Sequence, residues 1–226
     1  MALDNVKQRG DELLENIEAF PKNPIATSFS KVVVIESSYD VKEVEGLFKK
    51  VSSLSNPIEV LTHHAIFDET QKSQIQQKGK GFSELLMLHQ AIRVLSLERC
   101  MILKLSGRYR PRCWKKIIQE FNFEKENKKE SFLCISYSRI RRVALTYAFA
   151  AKGCVISDFA EKFLTKINDS KNIYVEHCLF QFAMMNKYSH IKRVHIYKYF
   201  FHITSGSTGL APNYLKQILR LIIYRL

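Results

Sequence analysis

The chain has 226 residues, of which 46% are hydrophobic, so it can bury a full core, and its 8 glycines and 5 prolines argue against long linkers. Its 35 lysines and arginines exceed its 22 aspartates and glutamates, which gives a net charge of +13. A basic excess of this size is typical of a polyanionic partner: nucleic acid, anionic lipid or a phosphate-bearing substrate. The positive charge is concentrated at 104–116, 139–142, 187–198 and the carboxyl terminus.

No segment has the apolar length of a signal peptide or a membrane span, so we expect a cytoplasmic protein, soluble or peripheral on the inner membrane face. The five cysteines form no Cys-x-x-Cys pair, and their apolar neighbours favour reduced, buried thiols. They are Cys100, Cys113, Cys134, Cys154 and Cys178.

Predicted strands and helices alternate through the first half of the chain. The apolar patterns predict strands at 31–37, 57–64, 100–107 and 131–138, and helices at 6–19, 41–54, 81–95, 112–121, 158–167, 173–186 and from 212. An aromatic run at 193–203 follows the sixth of these helices. The order predicts one α/β domain with a mainly parallel open sheet flanked by helices, and an irregular carboxyl-terminal part.

The third predicted strand ends on an unusual set of side chains. The stretch Lys104-Leu-Ser-Gly-Arg-Tyr109 adds cations and hydroxyls to an apolar strand, at the place where open α/β sheets bind ligands. The Arg108 guanidinium presents a fork of donors that matches phosphate oxygens, and Lys104 adds a point charge. Ser106 and Tyr109 offer hydroxyls, and Gly107 permits close approach of the backbone. The alternative is an exposed turn with an ordinary ion pair.

This motif and its neighbours resemble GT-A-type glycosyltransferases. More narrowly, they resemble bacterial transferases of capsule, O-antigen and lipooligosaccharide synthesis with a Lys-(Ile/Leu)-(Ser/Thr)-Gly-Arg-Tyr signature. The similarity covers roughly 31–209 and includes the segments VVVIESS, QKGKGFSELL, YVEHCLF and SGSTG. It implies transfer of a sugar from a nucleotide-sugar donor to a saccharide or lipid-linked acceptor. It also implies a single domain, 1–226, with a donor half at about 28–110 and an acceptor and catalytic half at about 111–210.

The chain differs from many GT-A enzymes in its carboxylates. It contains six aspartates and no Asp-x-Asp pair, and the Ser-Gly-Arg-Tyr stretch stands where such enzymes hold a divalent metal. We therefore expect that no metal is required, that no cofactor is permanently bound, and that Arg108 neutralises the donor phosphates directly.

Three further loops are candidates for donor binding. Glu36, Ser37 and Ser38 follow the first strand and could contact base or ribose, although the same loop could simply cap the next helix through Asp40. A second segment offers backbone amides and two cations, or else is a flexible charged loop; it contains Lys78, Gly79 and Lys80. The third could form an anion-binding nest, or else a surface turn; it contains Ser205, Gly206, Ser207 and Thr208.

Glu176 is the candidate catalytic base. It lies near the start of an otherwise apolar helix, and its position matches the acid of the related transferases, which would take a proton from the acceptor hydroxyl. The alternative is a favourable interaction with the helix dipole. Asp158, by contrast, has the pattern of a helix N-cap, with Glu161 three residues later.

Other classes of function stay open at this level. A basic nucleic-acid-binding protein would explain the charge, but the chain has no finger, RRM or KH signature, so we expect no nucleic-acid partner. A diverged, non-catalytic relative of the transferases, or a piece of a longer enzyme, is a further alternative. The predicted helix at 212–226 has one apolar face, which could bind an anionic membrane or close the core. That face contains Leu215, Ile218, Leu219, Ile222 and Leu226.

Overall fold

The computed structural model describes residues 29–36, 58–62, 67–106, 110–111, 114–121, 130–185, 191–194 and 200–201. The strands are β1 (Val32–Glu36), β2 (Ile58–Thr62), β3 (Met101–Leu105), β4 (Arg110–Pro111), β5 (Leu133–Ile135), β6 (Tyr137–Ser138), β7 (Val143–Ala144), β8 (Ala148–Lys152), β9 (Ile191–Arg193) and β10 (Phe200–Phe201). The helices are α1 (Glu69–Lys78), α2 (Lys80–Val94), α3 (Trp114–Phe121), α4 (Gly153–Phe163) and α5 (Val175–Met184), with a 3₁₀ turn at Asp169–Lys171. The predicted helices at 6–19, 41–54 and from 212 lie outside the described residues.

The α/β class is confirmed, but the main sheet is mixed and not mainly parallel. Its strand order is β3-β8-β5-β9, in which β8 runs antiparallel to both β3 and β5, and only β5 and β9 are parallel. Strand β8, with the sequence AFAAK, was not predicted, because alanine has a low preference for strands. Its position between β3 and β5 reverses the expected parallel order.

The remaining described strands pair outside this sheet. β1 and β2 form a parallel pair, with Val32 opposite Ile58 and Glu36 opposite Thr62. β6 and β7 form a short antiparallel hairpin, and β4 pairs with β10.

Helices cover both faces of the main sheet. Alternate residues of β5 enter two different clusters: Leu133 and Ile135 pack with α2, α4 and α5, whereas Cys134 packs with Ile117 and Phe121 of α3. This is the period of two that side chains follow along a strand. The small side chains of β8, including Ala148, Ala150 and Ala151, are all fully buried, which lets the helices approach closely on both sides.

Helix α4 begins five residues earlier than predicted. It follows β8 without a loop, since the Gly153 and Cys154 N–H groups donate to the carbonyls of Cys100 and Glu98. Asp158 therefore lies inside the helix, where it pairs with Lys162 at 2.5 Å, and the predicted N-cap is wrong.

Helix α1 was missed because it is polar and has no apolar stripe. It begins with a capping box, in which Asp68 accepts from the Gln71 N–H and the Gln71 side chain accepts from the Asp68 N–H. The local signal was present in the sequence, but not the hydrophobic period that identifies most helices.

The cysteine prediction is half right. Cys134 and Cys178 are buried, whereas Cys100 and Cys154 are exposed, and these four thiols are free. Cys113 lies outside the described residues.

Candidate functional site

The structure brings the end of β3 and the start of α5 together. Lys104 and Ser106 lie at the carboxyl end of β3, and Glu176 lies in the first turn of α5. Between them stands Thr146, which is 9% exposed: its carbonyl accepts from the Lys104 ammonium at 2.5 Å, and its hydroxyl lies 3.5 Å from a Glu176 carboxylate oxygen. The motif strand and the candidate base thus share one neighbour.

The ammonium of Lys104 is held entirely by the protein. It donates to the Glu84 carboxylate, to the Ser106 hydroxyl at 2.9 Å and to the Thr146 carbonyl. Since an ammonium has three N–H donors, all of them are used inside this cluster. The Lys104 side chain is only 11% exposed, so the pair is an internal link between β3 and α2.

Glu84 is a functional candidate that the sequence reading missed. Burial alone would raise the pKa of this carboxyl, but the charge and hydrogen bond of Lys104, with help from Lys80 and Ser106, hold the pKa below its usual value. Glu84 is therefore ionised at neutral pH. The signal that could have found it is a lone acid in the apolar run GFSELLML, the same signal that marked Glu176.

Glu176 is shifted in the opposite direction. Burial raises its pKa, a hydrogen bond from its own backbone N–H lowers it by less, and the nearby carboxylates of Glu84 and Asp169 raise it further. Two carboxylates with opposite shifts at one place are the pattern of groups suited to acid–base chemistry.

The segment Lys78–Lys80, for which we expected donor-binding amides and cations or else a flexible charged loop, is a junction between two helices. Helix α1 ends at Lys78, Gly79 adopts φ 91°, and α2 begins at Lys80. The Gly81 N–H donates to the Asp169 carboxylate at 2.9 Å, so this amide at the start of α2 is already bound by the protein. Asp169 acts as a remote cap for α2, which has no side-chain cap of its own.

The tight approach of Asp169 explains both glycines of the junction. A Cβ atom at Gly79 would meet the Cβ of Asp169 at 2.8 Å, and one at Gly81 would meet an Asp169 oxygen at 3.0 Å. Neither Thr146 nor Asp169 carried a local sequence signal, because their partners are 30 to 88 residues away.

The other predicted donor residues are not brought to this site by the described structure. Glu36 ends β1, and nothing is described of its side chain. The rest lie outside the described residues: Ser37, Ser38, Gly107, Arg108, Tyr109, Ser205, Gly206, Ser207 and Thr208.

Within the described ranges, no cluster of three or more histidines, cysteines or acids has the arrangement of a metal site. In the same part of the chain, every helix is too short or too polar to traverse a bilayer.

The fold defines an α/β protein with helices on both faces of a four-stranded mixed sheet. In comparisons with known proteins, no family model, no curated protein and no solved structure matches the chain.

Proposed function

We propose that the protein is a glycosyltransferase that transfers a sugar from a nucleotide-sugar donor to a saccharide or lipid-linked acceptor in bacterial surface polysaccharide synthesis. One observation carries the proposal: Lys104 of the Lys-Leu-Ser-Gly-Arg-Tyr motif meets Glu176 through Thr146. The motif and the acid lie 72 residues apart in the sequence, and a common site requires them to be neighbours.

Glu176 is the general base in this proposal. Its carboxylate takes the proton of the acceptor hydroxyl, the acceptor oxygen forms a bond to the anomeric carbon, and the bond from that carbon to the donor phosphate breaks. A raised pKa makes Glu176 a stronger base than an exposed carboxylate. Glu84 is less suited to this role, because Lys104 lowers its pKa and donates to one of its oxygens.

Lys104 has a positioning role in place of a phosphate contact. Its three donors hold Glu84, Ser106 and the Thr146 carbonyl, which fixes the end of β3 against α2 and α5. The departing nucleotide phosphate then depends on Arg108, a few residues further along the motif, whose guanidinium neutralises the developing charge. Lys78 and Lys80 add positive charge at the helix junction.

The test is a panel of UDP-, GDP- and CMP-sugars, each offered with a bacterial lipid-linked saccharide extract. We expect one donor to raise the Tm of the full chain and to yield a labelled, extended acceptor and free nucleotide. Equal rates with EDTA and with added Mn²⁺ are expected if no metal is required. Stabilisation by oligonucleotides and by none of the donors would instead favour the nucleic-acid-binding alternative. A donor that binds without transfer to any acceptor would indicate a non-catalytic relative.

A further inference from the structure

The hairpin of β6 and β7 ends in an exposed basic tip with an apolar apex. The tip is the four-residue connection Arg139–Arg142, and all four residues are exposed, Ile140 by 69%. The three arginine side chains make no ion pair within the described part of the chain. The Arg141 N–H donates to the hydroxyl of Ser138, which is fully buried, and this bond ties the backbone of the tip to the hairpin.

Arg142 adopts a backbone conformation that favours other residues. Its φ is 52°, in the left-handed region, where glycine or asparagine is usual at the end of such a hairpin loop. An arginine at this position carries a conformational cost that glycine would avoid. A cost of this kind at an exposed position favours a use for the side chain itself.

The hairpin lies along α5 and extends toward the carboxyl end of that helix. Thr146 lies beside Glu176, and Tyr137, which pairs with Ala144, packs edge-on against Phe180 at 5.8 Å between ring centres. Two residues of strand and four residues of helix each cover roughly 6 Å. Arg142, two residues beyond Ala144, therefore lies on the side of the carboxyl end of α5.

The end of α5, toward which the hairpin extends, adds apolar surface. Met184 and Met185 are 36% and 51% exposed, and methionine adapts readily to a soft or irregular apolar partner. Arginine-tip surface here means Arg139–Arg142 together with these two methionines. It combines three cations, three exposed apolar side chains and no acid.

We infer that the arginine-tip surface docks the protein on an anionic lipid bilayer. Arginines with apolar stems can reach the headgroups while Ile140 enters the interface, whereas a nucleic-acid backbone would pair with the cations and leave Ile140 exposed to water. Anionic lipid adds attraction for each nearby cation, in a chain that already carries +13. The inference does not rest on the proposed transfer reaction, and it differs from the predicted membrane role of 212–226.

The test is co-sedimentation of the full chain with phosphatidylcholine vesicles that contain phosphatidylglycerol. The variant R139Q/R141Q/R142Q should bind about 100-fold more weakly, from about fivefold for each cation. The variant K115Q/K116Q/K171Q removes the same charge from exposed positions elsewhere and should bind within about threefold of the parent protein. An equal loss of vesicle binding in both variants would show that only net charge matters, and it would overturn the inference. Parental binding by the arginine variant would also overturn it, because 212–226 would then be sufficient.

Two further variants separate docking from folding. Arg142→Gly should keep or raise the Tm and yet weaken vesicle binding about fivefold, which a loss of structure could not produce. Ile140→Trp in a Trp114→Phe background should shift its emission to the blue when anionic vesicles are added. Tryptophan emission that vesicles leave unchanged would contradict a bilayer as the partner. So would a parent protein that binds oligonucleotides but no vesicles, if the arginine variant loses the oligonucleotide binding.

Discussion

The Lys104 ammonium and the Glu84 carboxylate form an ion pair that joins the end of β3 to the second turn of helix α2. The lysine side chain is 11% exposed and the glutamate side chain 29%, so the cation is the more deeply buried partner. Ser106 donates to the same carboxylate oxygen at 3.3 Å. The pair therefore fixes the geometry of the motif strand at the point where it leaves the sheet.

Breaking this pair from one side should be costly. Glu84→Gln leaves a buried ammonium without its counter-charge, and we expect a loss of about 3 kcal/mol in the free energy of unfolding, the lower end for buried pairs. The double variant Glu84→Leu/Lys104→Met should lose less than Glu84→Gln alone, because no charge is then buried. Urea unfolding measures the free energy of unfolding of the single and the double variant.

The exposed pair Asp158–Lys162 is the matched control, with side chains that are 32% and 35% exposed. Its coupling energy should stay below about 0.5 kcal/mol. If double-mutant cycles on the Glu84–Lys104 and Asp158–Lys162 pairs gave similar coupling energies, Lys104 would not be an internal anchor.

Asp169 should stabilise the start of α2 from a distance. Asp169→Ala removes the acceptor of the Gly81 N–H, and we expect a loss of about 1 kcal/mol, typical of a lost helix cap. Asp169→Asn keeps an acceptor oxygen and should lose less.

Gly79→Ala should cost at least about 2 kcal/mol, since it adds a left-handed alanine to a close contact with Asp169. Thermal unfolding compares the three variants. A larger loss of stability in Asp169→Asn than in Asp169→Ala would refute the capping role of Asp169.

Glu176 should reduce the stability of the fold at neutral pH. The pKa of Glu176 is higher in the folded state than in the unfolded state, so the neutral form stabilises the fold. This contribution is complete at pH values below the unfolded-state pKa and is lost as the pH rises through the folded-state pKa. Glu176→Gln keeps a neutral side chain at every pH. We expect this variant to be more stable than the parent protein at pH 8, with the difference shrinking toward pH 5. A variant that is less stable at pH 8 would show that the charged form has a stabilising partner.

Arg108 should decide donor affinity if it takes the role of a metal. Arg108→Ala should weaken binding of the preferred nucleotide-sugar by about 100-fold, through loss of a bidentate phosphate contact worth roughly 3 kcal/mol. Calorimetric titration with EDTA present measures this, and Arg93→Ala, at an exposed position on α2, is the control. If Arg108→Ala still bound the donor and this binding required Mn²⁺, a metal and not Arg108 would neutralise the donor phosphates.

The elements that sequence could predict are those with a strong apolar pattern. Strand β3 and helices α2, α3 and α5 each carry such a pattern, and each was predicted close to its observed range. Strand β8 and helix α1 lack one, the first because it is mostly alanine and the second because it is polar. The sheet direction was wrong for the same reason, since it depends on β8.

The residues of the candidate site also fall into those that the sequence revealed and those that only the structure revealed. Lys104 and Glu176 were visible because each places a charge where the neighbouring residues are apolar. Their relationship was not visible, since it passes through Thr146, and a threonine in the short connection between β7 and β8 has no distinctive pattern. The amides at Gly79–Gly81 appeared available to a phosphate, and only the folded chain reveals that Asp169 already accepts from the Gly81 N–H.

The most direct measurement of the central claim is the turnover of Glu176→Gln with the donor and acceptor that the panel identifies. The substitution preserves size and hydrogen bonding but removes the ability to accept a proton, so kcat should fall at least about 100-fold while the donor Kd stays within about twofold. The acid limb of the kcat/KM profile of the parent protein should lie above the usual range of a glutamate, as the raised pKa requires. Glu161→Gln, at an exposed position on α4, should leave both constants unchanged. Parental turnover in Glu176→Gln would contradict the assignment of the base and, with it, the site built from Lys104, Thr146 and Glu176.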